Sequence, residues 1–353
     1  MEFKTNEGGH LDVYLATHGW YNPLSDTDPY VESLQHALKS VGVSSMRLHG
    51  HNLPLGHIAE FIIPPILCRF SSYDQIGDIV HDTRGDSVFR GVNVSTIHDL
   101  YWNYPQTKLS SRLVRFASLL LQSYHRALKL SKAVIVPSEF TRKEILKFYG
   151  TRYEGKLRVI PKPCENVAPN LSSNTTPEYD VLWIGSTLTR KRLSMFLESV
   201  FRLPLSYSIY LKLTYTHPLI SEDRVEIKRL VDILRRQGRS ITISDNYIEN
   251  IYDIYHHARC IVSTSQYEGF HNPIAEAYVN GTNIVIPRDS IYSSLYPLGE
   301  GIHWYQHTIE LPSVIVSAVE NGKFKPNERV VEYLSPKNVG ISLRQTYEEV
   351  IGY

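Results

Sequence analysis

Cysteine is scarce in this chain of 353 residues: the three present, Cys68, Cys164 and Cys260, are odd in number and far apart. They make neither a disulfide framework nor a paired metal-binding pattern, and such usage suits a reducing compartment. Long apolar runs are missing as well. Nothing approaches the roughly 18 apolar residues of a membrane-crossing helix, and Met1-Glu2-Phe3-Lys4-Thr5-Asn6-Glu7 has no apolar signal core. The expectation is a cytoplasmic protein, in which the glycosylation-like triplets at Asn93, Asn170 and Asn174 carry no weight. An excess of one charge is absent too: Lys plus Arg is 37 against 36 for Asp plus Glu, a net charge of +1. That gives no reason to expect nucleic acid as a partner. No internal repeat and no heptad pattern occurs.

What is present is an ordinary globular composition, 42% hydrophobic and 21% charged, over a length that suits two domains. Short apolar segments alternate with helical patterns, which predicts α/β architecture with largely parallel sheets. Strands are predicted near 11–17, 43–48, 78–81, 94–97, 133–136 and 157–160, with helices over 29–40, 110–131 and 139–149, the last capped by Ser138. Residues 166–177 are polar, contain proline and lack periodicity, so they read as a linker. A second series follows, with strands at 180–184, 207–213, 240–244, 260–263 and 284–286 and a helical tail over 336–351. The expected organisation is a first domain over 1–165, a second over 178–335, and a terminal helix in 336–353 able to pack back on the first domain. Two doubly wound domains would leave a cleft, a favoured place for ligands.

The most informative stretch is Glu268-Gly269-Phe270-His271-Asn272-Pro273-Ile274-Ala275-Glu276. Asn272 is a good helix N-cap and Pro273 fits the first helical position; Gly281 is a fitting stop. The N–H groups of His271, Asn272 and Ile274, with the positive end of the helix dipole, would suit an anion such as a diphosphate. Glu276 could accept two hydrogen bonds from a ribose diol, and Glu268 could reach hydroxyls beyond the far phosphate. For either carboxylate alone, a solvated surface position is the stronger reading. The flanking strands turn the segment into a βαβ unit, whose ligand edge carries the loop of Glu268.

Glu268 to Glu276, followed by Ala277 and Gly281-Thr282, resembles the Glu-x7-Glu signature of retaining glycosyltransferases of the GT-B fold, family 4. Ala133-Val134-Ile135-Val136-Pro137-Ser138-Glu139-Phe140-Thr141, continuing to Arg158-Val159-Ile160-Pro161, resembles that family's last N-terminal-domain strand, the following helix and the entry to the linker. Asp180-Val181-Leu182-Trp183-Ile184-Gly185, then Thr189-Arg190-Lys191, resembles the first strand and phosphate loop of its donor domain. The resemblance implies two Rossmann-like doubly wound domains facing a cleft, the first binding the acceptor and the second a nucleotide-sugar donor. Transfer to a glycan, lipid-linked or other hydroxyl acceptor would retain the anomeric configuration, with no metal and no cofactor. On that pattern Glu276 holds the ribose, Glu268 contacts the transferred sugar and Lys191 binds the diphosphate. Phe270, His271, Asn272 and Ile274 line the donor with Gly185.

Two departures stand out. Ser186 follows the strand glycine where the family usually has arginine, which removes one diphosphate cation; Arg190 is a candidate substitute. His271 stands where glycine is frequent, either as a donor near the diphosphate or as a tolerated loop side chain. Ser186 also keeps open a second reading, a catalytically weak sugar-nucleotide-binding partner protein, ahead of a third, a sugar-nucleotide epimerase of the same fold.

In the first domain, Val94-Ser95-Thr96-Ile97-His98-Asp99 sets a histidine just past a strand, where the family has one facing the donor sugar. His98 is therefore a catalytic candidate, read as a neutral hydrogen-bonding group rather than a general base, and Asp99 as a loop cap or a support for it. His18, Gly19 and Trp20, with Tyr21, form the loop after the first strand; they are expected on the acceptor side or in core packing. Asn246 and Tyr247 fall where the family recognises the base, or form a simple polar turn. From Lys108 to Lys132 six cations and no acidic residue occur. This amphipathic stretch reads as a solvated face or as a peripheral contact with anionic membrane.

Overall fold

The computed structural model describes residues 11–17, 29–49, 77–85, 90–103, 124–166, 177–214, 224–246, 251–288, 290–296 and 299–352. The candidates His18, Gly19, Trp20 and Tyr247, most of the proposed linker, and the basic stretch up to residue 123 lie outside them. The described residues divide into two compact units, one formed by those up to Pro163 together with those from Leu334 on, the other by those from Cys164 to Tyr333.

The first unit is built on a parallel sheet of β1 (Val13–Thr17), β2 (Ser45–His49), β3 (Ile79–Asp82), β4 (Val94–Thr96), β5 (Ala133–Val136) and β6 (Leu157–Val159), ordered β2-β1-β3-β4-β5-β6. Side chains alternate across a strand, and β5 shows the result: Ala133 and Ile135 join one core, Val134 and Val136 the other. The first core packs against helix α1 (Pro29–Ser40); the second takes in α2 (His125–Leu130) and Ile145 of α3 (Glu139–Tyr149). Ser138 caps α3 as expected, its hydroxyl accepting the Thr141 N–H at 3.2 Å.

The second unit has β7 (Tyr179–Ser186), β8 (Ser208–Thr214), β9 (Ser240–Ser244), β10 (Ala258–Val262), β11 (Asn283–Pro287) and β12 (Ile302–Tyr305), all parallel in the order β12-β11-β10-β7-β8-β9. Strand β12 lacks a clear sequence signal because His303 and Trp304 interrupt its apolar pattern and stay partly exposed. The helices between and after these strands are α4 (Leu193–Val200), α5 (Arg224–Arg236), α6 (Ile251–His256), α7 (Asn272–Val279), α8 (Ser290–Leu295), α9 (Leu311–Glu320) and α10 (Glu328–Leu334). Val181, Trp183, Ile209, Leu211 and Val262 form one face with Phe196, Leu197, Leu230, Leu234 and Ile315 of α4, α5 and α9. Phe196 is fully buried, so truncating it to alanine would cost about 3–5 kcal/mol. Helices α6 and α7 pack on β10 and lie outside that cluster, so they cover the opposite face.

The final helix, α11 (Pro336–Ile351), returns to the first unit. Ser335 caps it, accepting the Asn338 N–H at 3.2 Å. Val339, Leu343, Tyr347 and Val350 enter the core containing Leu34 and Leu38 of α1. Gly340 makes the close approach possible, because a Cβ there would collide with the Ala37 carbonyl of α1.

Candidate functional site

In the second sheet the strand order reverses between β7 and β10, so the loops after these two strands open at a switch point, the usual ligand edge of a parallel sheet. They are bound together there. The loop after β7 tightens into a 3-10 turn, Thr189–Lys191, and Arg192 follows in the left-handed region at φ 51°, a conformation that disfavours side chains with a Cβ. Contacts from the β10 loop hold it. Thr264 Oγ1 donates to the Lys191 carbonyl at 2.7 Å, Arg192 Nε donates to Thr264 O at 3.0 Å, and the Gln266 N–H reaches Arg190 O at 2.8 Å. Trp183, buried in β7, donates its indole N–H to the same Thr264 hydroxyl at 3.2 Å. Gly185 is explained by this packing, since a Cβ there would meet the Trp183 ring at 3.0 Å.

Three sequence candidates converge on one ion cluster. Arg190 Nη1 lies 2.8 Å from Glu268 Oε2 and Lys191 Nζ lies 2.6 Å from Glu268 Oε1. Arg190 also donates to the Tyr267 carbonyl at 2.8 Å. Glu268 is 4% exposed. Burial pushes its carboxyl up, but Arg190 and Lys191 overcome that and hold it well below the ordinary carboxylate range. The cluster therefore carries two fixed cations around one ionised carboxylate.

His271 stands behind it, 5% exposed. Its Nε2 lies 3.5 Å from Lys191 Nζ, and its Nδ1 lies 2.7 Å from the Tyr292 hydroxyl and 3.2 Å from Ser263 Oγ. An ammonium can only donate, so Nε2 is the acceptor and the ring proton sits on Nδ1, shared with Tyr292. Burial, aided by the Lys191 charge, pulls the imidazole down to about 3, so it is neutral. The ring is held as an internal strut, with Nε2 turned as an acceptor towards Lys191.

The helix start needs correcting by one residue. His271, at φ −99° and ψ 86°, is the N-cap, Asn272 is the first helical residue and Pro273 follows. The reason lies in the carbonyl of His271, which accepts the Ile274 and Ala275 N–H groups, each at 3.1 Å. The Ile274 N–H is thus spent inside the first turn and is not a free anion donor; those of His271 and Asn272 remain candidates. Phe270 is buried, which leaves its backbone as the part able to meet a ligand. Gly281, at φ 79°, follows Asn280 at the helix end as expected. Glu276, partly exposed one turn into α7, accepts a hydrogen bond of 2.6 Å from the Tyr255 hydroxyl of α6. Burial and the Glu276 charge keep that phenol protonated, well above its ordinary value.

Sequence reasoning missed Tyr255, Ser263, Thr264, Tyr292 and the buried Lys212. The tyrosines are distant in sequence from the carboxylate and histidine they hold, and no local pattern ties them together.

In the first unit, His98 lies two residues past β4. Its Nε2 donates to the Thr83 carbonyl at 2.8 Å, leaving Nδ1 as a buried acceptor with no hydrogen-bond partner among the described residues. The Tyr30 ring meets it edge to face, with centroids 4.6 Å apart. Burial first, and then the Lys162 charge, hold the imidazole well below its usual value, so it is neutral. Behind it runs a buried polar chain. Tyr347 of α11 bonds His81 Nδ1 at 2.8 Å, His81 Nε2 bonds Thr96 Oγ1 at 2.7 Å, and Thr96 lies 3.4 Å from the Tyr30 hydroxyl. Asp99 caps the following turn, accepting the Tyr101 N–H at 3.1 Å. Asn246, just past β9, has its carbonyl bonded by Lys212. Among the described residues no group of three or more His, Cys, Asp and Glu is placed to hold a metal, and no helix is long and apolar enough to cross a membrane.

No protein-family model and no curated protein sequence matches the chain. Solved structures do match over nearly the whole length. Sucrose-phosphate synthase from Thermosynechococcus elongatus superposes with a TM-score of 0.65 at 17% identity, covering 96% of this chain and 99% of its own. HepE from Anabaena, solved with UDP and glucose, gives 0.62 at 14% identity over 98% and 100%. WaaG, a glycosyltransferase of lipopolysaccharide biosynthesis, gives 0.63 at 13% identity over 97% and 100%. The chain has the GT-B fold, with two Rossmann-like parallel-sheet domains.

Proposed function

We propose that the protein is a retaining glycosyltransferase that takes its sugar from a nucleotide-sugar donor bound by the second unit. The observation that carries this reading is the convergence of Arg190 and Lys191 on Glu268 at the switch point, beside the N-terminus of α7. Two cations held together beside a helix N-terminus make a setting that suits a diphosphate. On binding, the diphosphate takes over the cations through charge-assisted hydrogen bonds and releases Glu268 to accept hydroxyls of the transferred sugar. Arg190 and Lys191 then face the charge that develops on the leaving nucleoside diphosphate, a role that otherwise falls to a divalent metal. Glu276, oriented by Tyr255, accepts the ribose diol. His98, neutral and with Nδ1 as its unused acceptor, serves as a hydrogen-bonding group for a sugar hydroxyl rather than as a general base. The neighbours support the same chemistry: HepE was solved with UDP and glucose, and WaaG is a glycosyltransferase. The acceptor is a hydroxyl of a glycan, lipid-linked or other molecule.

The test is a panel of UDP-, GDP- and ADP-sugars incubated with the purified protein. Slow release of nucleoside diphosphate, faster with a suitable acceptor, is the expected result. A second reading, a sugar-nucleotide-binding partner without turnover, draws on Ser186: it is buried at the end of β7 and brings no charge to the position it occupies. Tight binding without release across varied acceptors would favour it.

A further inference from the structure

Lys212 has no role in the chemistry above, yet it is among the most unusual side chains in the second unit. It is 5% exposed and sits two residues before the end of β8. Ile209 and Leu211 of that strand face the core with α4 and α5, so Lys212 projects to the other face, the one covered by α6 and α7. In register it lies between Ile184 of β7 and Ser244 of β9. Its ammonium donates to the carbonyl of Asn246, just past β9, which is its only hydrogen-bond acceptor among the described residues. No carboxylate forms an ion pair with it there; Asp245 acts on it only at longer range, and burial outweighs that charge and lowers its pKa. A hydrophobic side chain would fill the same space at less cost, so a retained buried ammonium at a ligand edge calls for a ligand.

The ligand's direction follows from the fold. Tyr255 of α6 holds Glu276, which sets the ribose on the α6 side of α7. Helix α6 begins a few residues after β9, so a base leaving the ribose along α6 meets the turn where Asn246 and Lys212 join. An ammonium has three hydrogens, Asn246 takes one, and the group can only donate. We propose that Lys212 reads the base of the bound nucleotide, selecting one with a ring carbonyl, uracil or guanine, over adenine. This rests on the reading of the second unit as a nucleotide-sugar site.

Calorimetric titration with UDP, GDP and ADP tests it, on the wild type, Lys212→Met and Lys212→Gln, with circular dichroism to verify folding. The wild type should bind UDP or GDP at least about tenfold more tightly than ADP. Lys212→Met should erase that preference by weakening the favoured nucleotide about tenfold while leaving ADP within about twofold. Lys212→Gln, which keeps a donor, should restore part of it. A wild type that prefers ADP overturns the inference, as does a Lys212→Met variant that keeps the preference. So does equal weakening of all three, which would make Lys212 a diphosphate cation beside Ser186. If no nucleoside diphosphate binds the folded wild type, the nucleotide-sugar reading falls and this inference with it.

Discussion

The carboxyl edges of the two sheets solve the problem of burying polar groups in opposite ways. In the second unit the edge is ionic: Arg190, Lys191 and Glu268 meet within 3 Å and Glu268 stays charged although nearly sealed from water. In the first unit the groups that bond one another beside His98 are neutral: Tyr30, Thr96, His81 and Tyr347 form a chain of uncharged donors and acceptors, His98 packs on the Tyr30 ring, and the charges of Lys162 and Arg84 act on it from nearby. An ionic edge can be re-paired by an anionic ligand, because the cations lose one partner and gain another. A neutral chain has no ion pair to exchange with such a ligand. On the proposed reading, charge stabilisation falls to the second unit and fixed hydrogen-bond positioning to the first.

The sharpest way to break the comparison is Glu268→Ala. Removing the carboxylate strands two largely buried cations, and the second unit should lose about 3–5 kcal/mol in denaturant unfolding while the first is unaffected. Nucleoside diphosphate affinity should hold or rise, and sugar transfer should fall; a loss of affinity without loss of transfer would reverse the role given to Glu268. Glu276→Gln comes next. It should weaken donor binding by about 1.5–3 kcal/mol, read by calorimetry, and unchanged affinity would remove Glu276 from the ribose. On the neutral side, Tyr347→Phe leaves His81 Nδ1 without its partner and should cost the first unit about 1–3 kcal/mol. Nucleotide affinity should not move, and if it does the two edges are not independent.

Acid offers the finest distinction. His81 and His271 are each pulled from an ordinary 6.5 to about 3 by burial, so the unfolded chain binds their protons first. Their contribution is complete above about pH 6.5 and declines as the pH falls towards 3. Glu268, held below 4.5, adds its own loss only below that value. Urea midpoints at pH 7 and pH 5 should therefore report chiefly the buried histidines, His98, His256 and His303 among them, and His271→Gln should reduce the response of the second unit without altering that of the first.

Much of this architecture was legible in the residues. Alternating apolar segments marked eleven of the strands, β5 and β9 with their observed bounds, and Ser138 announced α3. Glu268, Lys191 and Arg190 could be named because each lies in a loop with its own local pattern. What stayed hidden depends on distance in sequence. Lys212 reads as one cation in the strand Ser208–Thr214, and only the register with β7 and β9 reveals that it is buried. The pairing of His271 with Tyr292 joins α7 to α8, which no periodicity encodes. The helix start moved by one residue because Ile274 closes on the His271 carbonyl, a choice between two nearly equivalent caps.

The return of α11 to the first unit bears on the order in which the molecule is completed. During synthesis from the N-terminus, β1 to β6 emerge before any of the second sheet, but the hydroxyl that satisfies His81 belongs to Tyr347, which follows the whole second sheet in sequence. The first unit must then wait, with one side of its core lacking Val339, Leu343, Tyr347 and Val350, while the second has every strand it needs. The half made first on the ribosome is completed only after the second sheet has emerged.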